Sequence, residues 1–150
     1  MGADGVKASL ARPAVFGLAD GLMSMLGVVL YLSGHQNLVF PAALSGGISA
    51  ALSMGGSEWL SDSDSGLGAS CVMGLATGVG AILPALPYAF TTGPLAVASS
   101  VAICVLIGAV VALMRPNRGR ALAFAETFGI LGAIFLVVLT CGLFLPGSAA

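Results

Sequence analysis

Apolar residues follow one another along this chain in runs of about twenty, and the charged residues fall almost entirely between the runs. No Asp, Glu, Lys or Arg occurs between Ser65 and Met114. As one helix that stretch would reach ~75 Å, more than twice the hydrocarbon thickness of a bilayer, so it has to fold back. Pro84, Pro87 and the sequence Thr91-Thr92-Gly93-Pro94 place the break, because proline removes backbone donors and glycine with proline favours a turn. The pattern predicts five helical spans at 13–33, 38–57, 66–90, 95–114 and 121–145, joined by short connections. The first run, from Pro13 to Gly34, would measure ~33 Å. It exceeds the ~7–15 apolar residues of a signal peptide, and further spans follow it.

Composition agrees with the pattern. Of 150 residues, 58% are apolar and 7% charged, with a mean hydropathy of +1.08, which describes an all-α integral membrane protein in a lipid bilayer. The whole chain, 1–150, reads as a single transmembrane domain. Lys7 and Arg12 precede the first span, and Arg115, Arg118 and Arg120 lie between the fourth and fifth. The positive-inside rule then puts the amino terminus in the cytoplasm and the carboxyl terminus on the opposite side. His35 falls in a loop on the far side, and Asp62 and Asp64 in a cytoplasmic one. Cys71, Cys104 and Cys141 show no metal-type spacing and read as small apolar packing residues.

The first run is interrupted by Asp20, a carboxylate that is costly in hydrocarbon and points to function. Counted from the cytoplasmic ends of their spans, Asp20 lies ~10 Å deep, Met54 ~12 Å and Glu126 ~9 Å. Glu58 stands one turn from Met54 on the same face. Carboxylate oxygens compensate a divalent charge, and a thioether adds softness that suits Fe²⁺ or Mn²⁺ better than Mg²⁺ or Ca²⁺. Met23 and Ser24 follow Asp20 at three and four residues and offer a second sulfur and a hydroxyl. Asp20, Met54 and Glu58 form the candidate metal set, with Glu126, Met23, Asp62 and Asp64 as a possible relay. Carboxylates in a low-dielectric layer take up protons when the cation leaves, which would couple metal movement to proton counter-movement. Simpler roles exist for the acids: Asp20 pairing with Arg12 or Arg118, and Glu126 with Arg118 or Arg120.

Small residues recur at Gly17 and Gly21, at Gly47, Ala51 and Gly55, and at Gly74 and Gly78. These stripes predict close helix contacts, within a subunit or across a two-fold dimer. Enzyme chemistry lacks parts: the one histidine, His35, is in a loop, so Gly68-Ala69-Ser70 has no base of the kind an intramembrane serine protease uses. Five basic residues at membrane boundaries make no nucleic-acid surface.

Three stretches together resemble the vacuolar iron transporter family. Asp20-Gly21-Leu22 followed by Leu26-Gly27 is similar to its first-helix "DGL…LG" signature. Residues Ser53-Met54-Gly55-Gly56-Ser57-Glu58-Trp59-Leu60-Ser61 are similar to "SMAxGEYxS" at the end of its second helix. Pro84-Ala85-Leu86-Pro87-Tyr88 is similar to its third-helix "PxxPY". The resemblance implies five spans, a homodimer with a path between subunits, and export of Fe²⁺ or Mn²⁺ from the cytoplasm by proton antiport. It places the family's first-helix aspartate on Asp20, its second-helix methionine on Met54 and its motif glutamate on Glu58. Two features depart from the family. Only Asp62-Ser63-Asp64-Ser65-Gly66 stands where many members carry a glutamate-rich metal-binding insertion, and Pro13 stands where some carry a second acid.

The sequence therefore predicts a multi-pass metal transporter, without a resident cofactor, in a cell membrane or vacuole-type membrane. Two other classes compete, a non-transporting membrane scaffold and a small-molecule/proton exchanger. A scaffold tolerates Asp20→Asn, which keeps hydrogen bonding; an exchanger calls for a wider, aromatic-lined cavity.

Overall fold

The computed structural model describes residues 3–32, 34–61, 66–115 and 119–144, and among these every regular element is helical. Helix α1 spans Ala3–Tyr31, α2 Gln36–Ser61, α3 Gly66–Ile82, α4 Pro94–Met114 and α5 Arg120–Phe144, with a 3-10 segment at Leu83–Ala89 between α3 and α4. Five stretches are long and apolar enough to cross a membrane, the shortest of them Pro94–Met114 with 21 residues, or ~32 Å. The chain is a multi-pass integral membrane protein.

Three spans differ from the pattern-based reading, the second because α2 runs on to Ser61, four residues past the expected end. Pro13 lies inside α1, which begins ten residues earlier at Ala3. Proline forfeits one hydrogen bond to the residue four before it, a cost a packed transmembrane helix absorbs. The third span changes geometry rather than running as one α-helix to residue 90. Pro84 and Pro87 cannot donate to the carbonyls four residues back, and the chain tightens to 3-10 turns from Leu83. It then reverses at Gly93, whose φ of +76° is a conformation side chains disfavour. The Gln36 side-chain carbonyl accepts the Gly93 N–H and ties this turn to the start of α2.

Helix α3 is the centre of the bundle, packed along α1 on one flank and α2 on the other. The approach is close because glycine faces backbone. A Cβ on Gly17 would fall on the Met73 carbonyl oxygen, one on Gly21 on that of Thr77, and one on Gly80 on that of Leu18. On the α2 side a Cβ on Gly74 would lie 2.6 Å from the Ala51 carbonyl oxygen, and one on Gly55 3.0 Å from that of Ser70. The small-residue stripes thus act within one subunit. Thr77, fully buried in this seam, donates its hydroxyl to the Met73 carbonyl of its own helix at 2.9 Å.

Two apolar clusters complete the interior. Met25 and Val29 of α1 meet Val39 and Ala43 of α2, Ala81 of α3 and Tyr88 of the 3-10 segment near one end. Leu22 of α1 meets Ile107 and Val111 of α4 and Leu131 of α5. The start of α1, the end of α2, the start of α3, the end of α4 and the start of α5 share the other end, which carries Arg12, Arg115 and Arg120.

Candidate functional site

Helix α1 distributes its faces in a way that isolates Asp20. Gly17, Leu18, Gly21 and Leu22 meet α3, while Val15, Ala19, Met23 and Leu26 pack against the α4–α5 cluster. At ~100° per residue these two sets leave one sector of the helix, between Met23 and Gly17, and Phe16, Asp20, Ser24 and Tyr31 fall in it; two turns beyond Asp20 the same sector meets α5, where a Cβ on Gly27 would lie 3.4 Å from Val138. Phe16 is 53% and Tyr31 58% exposed; Arg12 and Ser24 are exposed and Asp20 half-buried. Among the described residues Arg12 and Asp20 form no ion pair, so Asp20 is not neutralised by its own helix. Ser24 shares the open sector with Asp20. Met23 turns its thioether into the α1–α4–α5 packing instead.

On α2, Met54 and Glu58 are both half-buried. They continue the edge that bears Ala43, which packs with Met25 and Val29 of α1 at the far end. Heights can be compared through α3. Gly17 and Gly21, which bracket Asp20, lie against Met73 to Ala81; Ala51 and Gly55, which bracket Met54, lie against Ser70 to Gly78. The two windows overlap. The helices carrying Asp20 and Met54 do not pack directly at this height, however, because the glycine stripes draw each of them onto α3. Within one subunit the acid and the thioether flank α3.

The remaining residues singled out in the sequence are dispersed. Glu126 pairs with Arg115, its Oε2 2.8 Å from Nη2, a partner outside the two arginines expected from the sequence. This pair joins the end of α4 to the first turns of α5. Asp62, Asp64 and Arg118 lie outside the described residues. His35 is exposed in the α1–α2 connection, as its loop position required. Cys71 and Cys141 are exposed on their helices and Cys104 is half-buried, so only the last serves packing. All three thiols are free.

Sequence reasoning weighed one polar group only as a nucleophile without a base. Ser70 of α3 is 5% exposed, and its hydroxyl is the buried side-chain polar atom left without a hydrogen-bond partner among the described residues. The available signal was its register: Ser70, Gly74 and Gly78 recur every fourth residue.

The model of the VIT family matches residues 11–66. That stretch is similar to the VIT family, and the match leaves α3, α4 and α5 beyond it. The match takes in the half of the chain's candidate chemistry carried by α1 and α2, with Asp20, Met54 and Glu58 inside it, and supports a member of the vacuolar iron transporter family. Likeness to that family over α1 and α2, beside five helices long enough to span a membrane, points to membrane metal-ion transport. No curated protein and no solved structure matched the chain.

Proposed function

We propose that the protein exports Fe²⁺ or Mn²⁺ from the cytoplasm in exchange for protons, as a homodimer whose path runs beside Asp20. The observation that carries this reading is the open sector of α1. A helix that must cross hydrocarbon presents Phe16, Asp20 and Ser24 on a sector outside its α3 and α4–α5 packing, which α5 meets two turns farther on at Gly27. Charged and polar groups facing lipid are expensive, so such a stripe belongs against water, a cation or a second copy of the chain. Two copies related by a two-fold axis would set one Asp20 opposite the other, doubling the carboxylate count where a single subunit supplies one.

Each residue then has a defined task. Asp20 takes the cation and, when the cation leaves, a proton. Met54 contributes a soft donor that favours transition metals over Mg²⁺. Glu58 gathers the ion at the cytoplasmic end of α2, and Asp62 and Asp64 raise the local cation concentration at the mouth. Glu126 is a secondary proton carrier, restrained by Arg115; Met23, packed against the α4–α5 cluster, is a further member of the relay.

Proteoliposomes with an acid lumen test the proposal. Mn²⁺ should accumulate inside only when the protein is present, and a lumenal pH dye should report alkalinisation as it does. Metal uptake indifferent to the pH gradient would remove the antiport, and no uptake under either condition would leave the scaffold reading.

A further inference from the structure

We infer that Ser70 is a specificity-determining residue of this metal path, an oxygen donor to the cation as it passes between Met54 and Glu58. The inference rests on the transport reading above and extends its donor set. The Ser70 hydroxyl is enclosed, at 5% exposure of the residue, and finds no hydrogen-bond partner among the described residues. Other helical hydroxyls in this chain behave differently: Thr77 donates to the carbonyl of Met73 and Ser99 to that of Leu95, each four residues back. An enclosed hydroxyl without a partner is destabilising in hydrocarbon, so its retention calls for a partner supplied from elsewhere.

Its position identifies that partner. The Ser70 carbonyl oxygen lies 3.0 Å from where a Cβ on Gly55 would stand, so Ser70 meets α2 between Met54 and Glu58. Around α3, Gly74 and Gly78 face α2, and Met73 and Gly80 face α1. The ~100° helical step places Ser70 between these two directions, on the side that looks toward both helices. A hydroxyl, a thioether and a carboxylate therefore lie within about one turn of each other along the α2–α3 seam. The mixture is that of a weak, exchangeable divalent site, with the neutral oxygen trimming the preference set by sulfur.

Ser70→Ala and Ser70→Cys in proteoliposomes, measured for Mn²⁺ and Cd²⁺ uptake beside wild type and the exposed control Ser99→Ala, decide the matter. Removing an orphaned hydroxyl should leave the melting temperature unchanged or higher. It should raise KM for Mn²⁺ about five-fold, the loss of one neutral donor, with kcat little altered. Ser70→Cys should move the Mn²⁺ to Cd²⁺ preference toward Cd²⁺. KM and metal preference equal to wild type in both variants would overturn the inference while leaving transport intact. A Ser70→Ala protein that fails to fold would overturn it too, since the hydroxyl would then serve structure. Wild type that moves no metal would bring down the transport reading itself, and this inference with it.

Discussion

Asp20 is legible because it is an acid in a run that otherwise contains no charge, and folding leaves it half-buried on a sector of α1 outside the α3 and α4–α5 packing. Met54 is less so, since a thioether in an apolar helix is ordinary packing until its height is compared with that of a carboxylate. Substituting it discriminates. Met54→Leu keeps volume and removes sulfur, and should raise KM for Fe²⁺ and Mn²⁺ several-fold with the same melting temperature; metal uptake assays at constant pH would read this. Glu126 shows the limit of depth counting. Its distance along α5 matched that of Asp20, yet Arg115 holds it. Both side chains are roughly 30% exposed, and a pair of that kind contributes ~0–1 kcal/mol. Glu126→Gln should therefore shift thermal unfolding by only a few degrees, and a collapse of the protein would show that the pair holds α4 to α5. Ser70 drew notice in the sequence only as a nucleophile without a base, because a serine inside a span has no other significance until packing shows its hydroxyl without a partner.

Helices were readable in number and approximate extent because a run of apolar residues long enough to cross hydrocarbon has few alternatives. Their ends were not, since local propensity competes with packing: Pro13 resembles a helix start, while α1 runs through it from Ala3. Nor could the small-residue stripes say which partner they serve. The structure assigns them to α3, and this makes a sharp test at the level of the element. Gly21→Ala and Gly80→Ala each drive a methyl into a carbonyl of the opposing backbone, where no side chain can swing aside. Both should separate α1 from α3 and abolish a monodisperse peak in size-exclusion chromatography. Gly56→Ala and Gly132→Ala meet nothing within 4 Å and should elute as wild type. Equal behaviour of the two pairs would refute the central position of α3.

At the scale of the whole molecule, Phe16, Asp20 and Ser24 stand on a side of α1 outside its α3 and α4–α5 packing. No group of three or more His, Cys, Asp or Glu able to hold a metal occurs among its described residues, and two copies facing each other would remedy both conditions. With Cys71, Cys104 and Cys141 replaced by alanine, Phe16→Cys or Ser24→Cys should form a disulfide-linked dimer in membranes, whereas Leu136→Cys, on the outer face of α5 at 62% exposure, should not. A dimer linked through α5 alone would relocate the interface and remove Asp20 from it.

The most direct test compares wild type with Asp20→Asn, reconstituted at equal density in vesicles with an acid interior, by the initial rate of Mn²⁺ uptake. Asparagine preserves size and hydrogen bonding but carries neither charge nor exchangeable acid proton, so the account predicts at least a tenfold loss of rate with normal folding and dimerisation. Uptake by Asp20→Asn at the wild-type rate would contradict it.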